Sequence, residues 1–82
     1  MKHFFEKGFA KKLYLLPEQT QKKFWQKLKF LLIDMRHPSL HSKKYDEANN
    51  VWQARVDKSY RFYFLIESDR YILLDIRSHP KQ

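Results

Sequence analysis

An α+β fold is predicted by two periodic patterns that occupy different parts of the chain. In the first 35 residues, apolar side chains recur at the three- and four-residue spacing of an amphipathic helix. From Trp52 to Ile76 they alternate with polar side chains, as in strands that bury one face of a sheet. A length of 82 residues leaves room for one hydrophobic core. We therefore predict a single domain, residues 1–82, in which a two-helix N-terminal hairpin packs on a three- to four-stranded, mainly antiparallel sheet.

The two helices are predicted at about residues 5–15 and 17–35. Their apolar stripes consist of Phe5, Phe9, Leu13 and Leu16 in the first helix and of Phe24, Trp25, Leu28, Leu31, Leu32 and Met35 in the second. Gly8 weakens the first helix by about 1 kcal/mol relative to alanine. Pro17 fits the first turn of the second helix, and Pro38 ends it because the residue before a proline avoids the helical conformation.

Three strands are predicted at residues 52–57, 60–67 and 71–76. The apolar row of the third strand is formed by Ile72, Leu74 and Ile76. A turn at residues 58–59 aligns the apolar sets of the first two strands, so Arg55 and Arg61 emerge together on the opposite face. The segment Ser39–Asn50 is polar and is predicted to be an irregular loop, either mobile or functional.

The chain carries a net charge of +8, and the excess is confined to its N-terminal part. Residues 1–44 hold eleven basic and three acidic side chains, whereas residues 45–82 hold six of each. Such a field attracts a nucleic acid or an acidic protein partner, and the sign of the charge does not choose between them. A basic helix surface that only maintains solubility is the third interpretation.

Several classes of site are excluded by residue types that the sequence lacks. Without cysteine there is no disulfide, thiolate metal site or thiol nucleophile, in keeping with a reducing cytoplasm. No apolar run approaches the roughly 18 residues of a membrane span, so we expect a cytoplasmic protein with no membrane partner. His37 and His41 have the spacing of a metal pair, but Pro38 interrupts the helix that would align them. We expect no metal and no cofactor.

Basic and aromatic side chains on the open sheet face form the candidate site. They are Arg55, Arg61, Tyr63, Arg77 and His79, with Lys43 and Lys44 in the preceding loop. Metal-independent RNA cleavage needs a fixed positive charge that binds the phosphate, and the planar guanidinium of arginine supplies it. The reaction also needs proton transfer near neutral pH, for which histidine is suited. An aromatic ring such as that of Tyr63 stacks on an unpaired base.

Each of these side chains also has an ordinary structural interpretation. Arg61 can pair with Asp57 or Glu67, and Arg55 can pair with Asp75. Tyr63 can be a half-buried ring, and His79 a solvated residue near the C-terminus. The grouping of the residues favours a functional site more than any one of them does.

Residues 37–81, HPSLHSKKYDEANNVWQARVDKSYRFYFLIESDRYILLDIRSHPK, resemble the toxins of RelE/ParE-type toxin-antitoxin systems. The upstream stretch LPEQTQKKFWQKLKFLL is also similar, so the resemblance covers nearly the whole chain. It implies a compact α+β fold, a metal-independent endonuclease that cuts mRNA on or off the ribosome and blocks translation, and a cognate antitoxin that silences it.

The resemblance also implies roles for individual residues. Arg61 in YRFYF matches the phosphate-binding arginine of the family, and Arg55 in WQARV matches a second strand arginine. His79 in RSHP matches a catalytic position that holds histidine or arginine. Lys43 and Lys44 match the basic loop more loosely, which implies contact with the RNA backbone.

The sequence departs from the family pattern at three places. Trp52 and Ala54 stand where RelE itself carries lysines, the closing aromatic residue of the tail is missing, and only residues 1–4 could form the usual opening strand. Two alternatives therefore stay open. One is a ParE-like protein that inhibits DNA gyrase without chemistry, and the other is a non-catalytic module that binds nucleic acid or an antitoxin. His79 favours the nuclease.

Overall fold

The computed structural model describes residues 1–79, which form a five-stranded sheet, two α-helices and one short 3-10 helix. The elements are β1 (Lys2–Phe5), α1 (Phe9–Tyr14), α2 (Glu18–Ile33), the 3-10 helix (Pro38–Leu40), β2 (Lys43–Asp46), β3 (Val51–Arg55), β4 (Tyr60–Glu67) and β5 (Arg70–Ser78). The strand order is β1-β5-β4-β3-β2. The α+β class is confirmed. Residues 80–82, which include the last two residues of the RSHPK stretch, lie outside the described residues.

The count of three to four strands was wrong because two short strands escaped the sequence patterns. β1 pairs parallel to β5, with the Lys2 N–H donating to the Asp69 carbonyl (3.0 Å) and the Glu6 N–H donating to the Leu73 carbonyl (2.9 Å). Four mostly exposed residues are too few to show a period. The sheet is consequently mixed, and β1 covers the edge that β5 would otherwise expose.

The first helix begins at Phe9, four residues later than predicted, because Gly8 separates it from β1. Gly8 adopts a left-handed conformation with φ of 90°, which glycine enters without the steric penalty of a side chain. The chain can thus leave β1 and start a helix within three residues. The second helix, Glu18–Ile33, lies within the predicted range.

The predicted loop Ser39–Asn50 instead contains the last two residues of the 3-10 helix and the edge strand β2. β2 pairs antiparallel to β3, with a bulge between Lys44 and Asp46. Its sequence, KKYD, has no alternation of apolar residues, which is why it was predicted to be irregular. Lysines on an edge strand discourage pairing with another chain.

Aromatic packing holds the helices against one face of the sheet. Ala54 and Phe62 are opposite each other on β3 and β4, and the Phe62 ring meets Phe24 of α2 edge-on at a centroid distance of 5.3 Å. Phe9 of α1 lies 5.4 Å from Phe24. All four of these side chains are buried. The opposite face, which no helix of residues 1–79 covers in this way, is free to carry polar groups.

The apolar row predicted for the last strand was wrong in two of its three members. Ile76 lies in the core cluster beneath the helices, whereas Ile72 is buried outside that cluster and Leu74 is half-buried, and Tyr71 and Leu73 take their places. The cause is a bulge, since Tyr63 pairs with Asp75 and Phe64 with Leu73, which leaves Leu74 without a partner in the ladder. One extra residue reverses which side chains face the helices. None of the helices in residues 1–79 is both long and apolar enough to cross a membrane.

Replacement of Gly8 tests this account of the strand-to-helix connection. We expect Gly8→Ala to lower the free energy of unfolding by about 1–2 kcal/mol, because the left-handed conformation strains a side chain although the space around it is open. Gly8→Asn should lose less, since asparagine tolerates this conformation. Urea denaturation measures both. Lys11→Ala, on an exposed site of the same helix, should change stability by less than about 0.5 kcal/mol, and an equal loss in that control would contradict the explanation.

Candidate nucleic-acid interface

Three arginines form a line across the open face of the sheet. Arg55 of β3 is opposite Arg61 of β4, and Arg61 is opposite Arg77 of β5. Because neighbouring strands lie about 4.8 Å apart, the three side chains start from one short row perpendicular to the strands. We call them the arginine row. Their mutual repulsion is costly in the free protein, so the arrangement favours an anionic ligand.

Arg61, at the centre of the row, is buried and held by backbone carbonyls. Its Nη1 donates to the carbonyls of Asp57 (2.8 Å) and Tyr60 (3.1 Å). The predicted carboxylate pairing is not found in residues 1–79, because Asp57 faces Lys23 at 3.8 Å and Glu67 faces Arg70 at 3.2 Å. Burial, and next the charge of Arg55, lower the pKa of Arg61. The guanidinium is therefore positioned without being neutralised.

A cleft of about 390 Å³ opens beside the arginine row. Its lining residues are His41, Ser42, Lys43, Gln53, Ala54, Arg55, Arg61 and His79. Four of the predicted site residues, Arg55, Arg61, His79 and Lys43, thus share one cavity. The His79 backbone N–H donates to the Ser59 carbonyl at 2.6 Å, which fixes this residue where β5 ends.

Two further residues of the cleft, His41 and Ser42, were missed from the sequence. His41 ends the 3-10 helix in a left-handed conformation with φ of 47°, and the Ser42 hydroxyl is buried without a hydrogen-bond partner in residues 1–79. Both were assigned to the irregular loop Ser39–Asn50, and His41 was considered only as one of a metal pair with His37. The available signal was that His41 lies two residues before Lys43, already a predicted site residue.

Lys44 and Trp52 lie on the helix side of the sheet. Lys44 pairs with Trp52 in the ladder, and its ammonium group sits 4.7 Å from the centre of the indole ring. It also donates to the Asn50 side chain at 3.2 Å. Lys44 is therefore apart from Lys43 and from the cleft, although the two are adjacent in sequence.

Tyr63 and Arg77 form a second polar group beside the cleft. The Arg77 guanidinium lies 4.6 Å from the centre of the Tyr63 ring and donates to the Tyr45 hydroxyl at 2.9 Å. Tyr45 in turn meets Tyr63 edge-on at 4.8 Å. Tyr63 is only 5% exposed, so its ring is covered, whereas Tyr45 is 52% exposed.

Solved structures of RelE/ParE-type toxins have the same fold as this chain. The YoeB/ParE toxin from Agrobacterium tumefaciens has a TM-score of 0.80 at 12% identity, covering 98% of this chain and 100% of that one. The isolated Escherichia coli RelE toxin has a TM-score of 0.78 at 13% identity, covering 99% and 86%. The archaeal RelE–RelB complex from Pyrococcus horikoshii has a TM-score of 0.75 at 16% identity, covering 99% and 97%.

The chain therefore has the fold of RelE/ParE-type toxins, as the resemblance of its sequence predicted. No family sequence model and no curated protein sequence matches it. At identities of 10–20% the likeness concerns the fold alone. The role of the cleft has to be argued from its own residues.

Anion binding by the cleft can be measured without any assumption about its natural ligand. We expect pyrophosphate at ten times its dissociation constant to stabilise the fold by about 1.4 kcal/mol and so to raise Tm by several degrees. Arg55→Gln should lose most of this increment. Differential scanning fluorimetry at matched ionic strength measures it. Arg70→Gln is the matched control, because it removes the same charge outside the cleft, and equal responses of the two variants would indicate a general salt effect.

Proposed function

We propose that this chain is the toxin of a toxin-antitoxin pair and acts in the cytoplasm as a metal-independent mRNA endonuclease that blocks translation. The observation that carries the proposal is the single cleft that joins Arg55 and Arg61 to two histidines, His41 and His79. Fixed positive charge and groups that transfer protons near neutral pH are the two requirements of this chemistry. Lys43 adds a third positive charge for the RNA backbone.

The proposed reaction begins with the scissile phosphate bound by the forks of Arg61 and Arg55. One imidazole accepts the proton of the 2′-hydroxyl, whose oxygen forms a bond to phosphorus. The bond between phosphorus and the 5′-oxygen of the next nucleotide breaks, and the second imidazole donates a proton to that leaving oxygen. The products are a 2′,3′-cyclic phosphate and a free 5′-hydroxyl. The negative charge that grows on the phosphate oxygens is stabilised by the two guanidinium groups.

The position of Arg61 supports its role as the main phosphate group. A flexible surface arginine loses side-chain entropy when it binds a ligand. Arg61 is already ordered by the carbonyls of Asp57 and Tyr60, and only part of its five donors is used there. The remaining donors are available to phosphate oxygens in the cleft.

Induced expression in a bacterial host with mapping of mRNA ends tests the nuclease. We expect rapid growth arrest and new mRNA ends with the wild type, and at least a hundredfold fewer new ends with His79→Gln, because general acid-base catalysis contributes about 10²–10⁴ in rate. Arg61→Gln should also abolish cleavage. Arg70→Gln, outside the cleft, should behave as the wild type.

The other outcomes of this experiment separate the alternatives. Arrest without new mRNA ends, unaffected by His79→Gln, would indicate a binder such as a DNA gyrase inhibitor. Absence of arrest from folded, well-expressed protein would refute the toxin function. Circular dichroism of each purified variant establishes that it is folded.

We also propose a cognate antitoxin as the partner of this chain, with an acidic amphipathic segment that binds along α2. A groove of about 590 Å³ there is lined by Trp25, Leu28 and Leu32. Lys22 and Lys29 flank these apolar residues. Apolar surface rimmed by positive charge complements a helix with one apolar and one acidic side. The Pyrococcus horikoshii RelE in the comparison is likewise a complex, with RelB.

Selection of genomic fragments from the source organism that restore growth would identify this partner. We expect the double variant Lys22→Glu, Lys29→Glu to remain toxic but to escape neutralisation, because acidic side chains would then face the acidic segment. Growth rescue and pull-down affinity measure the effect. Lys11→Glu with Lys58→Glu makes the same change of charge away from the groove, and loss of neutralisation in both variants would argue against the groove.

A further inference from the structure

Tyr45 is an exposed aromatic ring held in a fixed position beside the arginine row. Its hydroxyl accepts a hydrogen bond from Arg77 Nη2 (2.9 Å), and its edge packs on Tyr63 with centroids 4.8 Å apart. The Arg77 guanidinium also lies 5.7 Å from the centre of its ring. The ring is nevertheless 52% exposed. Two independent contacts thus order a large apolar surface that stays open to a ligand.

The backbone of β2 is what directs Tyr45 to this place. Lys44 pairs with Trp52 and Asp46 with Val51, so Tyr45 is the extra residue of the bulge and has no partner in the ladder. Lys43 pairs with Gln53, and both line the cleft, so alternation along β2 turns Tyr45 to the same open face, where Tyr63 and Arg77 lie.

We propose that Tyr45 is the stacking platform for an unpaired RNA base, that of a nucleotide next to the phosphate held by the arginine row. This inference rests on the proposed function, since it assigns a base-binding subsite to the same RNA strand. Tyr63 was the ring predicted for stacking, but it is only 5% exposed and covered by Arg77 and Tyr45. The accessible ring of the group is therefore that of Tyr45.

The distances along the sheet fit such a strand. Arg61 and Tyr63 are two residues apart on β4, which places their side chains about 7 Å from each other on the open face. Tyr45, on the edge strand β2, lies next to Tyr63 with the ring centroids 4.8 Å apart. A strand whose phosphate is bound at Arg61 can therefore lay a neighbouring base on Tyr45.

The chemistry of the group favours a base over a peptide or a lipid. Every base has a π face, and stacking on an aromatic side chain contributes enough to be measured by substitution. Arg77 adds a positive charge at the rim of the platform, which attracts the RNA backbone and supports stacking. A ring already ordered by Arg77 and Tyr63 loses little rotamer freedom when it binds.

Binding of RNA oligonucleotides tests the platform without requiring cleavage. The probes are a single-stranded RNA with 2′-deoxy substitution at the cleavage position and a set in which one base at a time is replaced by an abasic site. We expect one abasic position to weaken binding to the wild type about 5- to 150-fold, the range of one stacked base. Tyr45→Leu should bind the intact strand as weakly as the wild type binds that abasic strand, with no further loss. Fluorescence anisotropy at constant salt measures the affinities.

Matched variants separate stacking from a structural role of the ring. Leucine still covers Tyr63, so a purely structural Tyr45 predicts wild-type affinity for Tyr45→Leu. Tyr45→Phe keeps the ring and should keep the sensitivity to the abasic site. Tyr14→Leu removes a tyrosine that is 62% exposed elsewhere and should leave both affinities unchanged.

Two results would contradict the proposal that Tyr45 stacks on a base. The first leaves the proposed nuclease function standing, and the second contradicts that function as well. If Tyr45→Leu is as sensitive as the wild type to an abasic site at each position, Tyr45 is not the stacking platform. The proposed nuclease function is not affected by that result. Absence of RNA binding by the wild type would overturn the platform together with the proposed function.

Discussion

The edge-to-face contact between Phe24 and Phe62 is the interaction on which the rest of the molecule depends. It joins α2 to the central strand β4, and Phe9 of α1 packs on the same ring of Phe24. Full burial of each such side chain contributes about 1.5–3 kcal/mol, and a favourable aromatic geometry adds about 0.5–1.5 kcal/mol. Because the helices cover one sheet face in this way, the other face can be given to charged groups.

The three arginines on the open face lower the stability of the fold, and burial of the aromatic core offsets this loss. Three like charges side by side on adjacent strands destabilise a sheet, and Arg61 also loses part of its hydration. The carbonyls of Asp57 and Tyr60 compensate Arg61 with hydrogen bonds but leave its charge in place. The arginine row thus lowers the stability of the free protein, and an anion bound beside it would relieve that loss.

The long elements were predictable from the sequence because they display several periods of a pattern. α2 has 16 residues and β4 has eight, and the pairing of Arg55 with Arg61 followed from aligning the apolar sets of two strands. β1 and β2 have four residues each and were not predicted, since their stability comes from backbone pairing with β5 and β3. No local pattern marks such partners.

The charged residues of the candidate site were predicted from the sequence. His41 and Tyr45 were missed, because they lie in segments of irregular backbone. Arg55, Arg61, Lys43 and His79 share the cleft as the residue types suggested. His41, which ends the 3-10 helix in a left-handed conformation, also lines this cleft. The accessible ring is Tyr45 rather than Tyr63, because Tyr45 and Arg77 cover the Tyr63 ring and Tyr45 lies on the short, bulged edge strand β2. Bulges and single left-handed residues have no periodic signature in a sequence.

The unpaired Leu74 divides β5 into two halves of opposite phase. In the first half, Tyr71 and Leu73 face the helices, and in the second half Ile76 does so while Arg77 remains in line with Arg61. The first half of β5 pairs with the parallel edge strand β1, and the second half carries Arg77 of the arginine row. Without the extra residue, the alternation that turns Tyr71 and Leu73 towards the helices would turn Arg77 to that same side, away from Arg55 and Arg61.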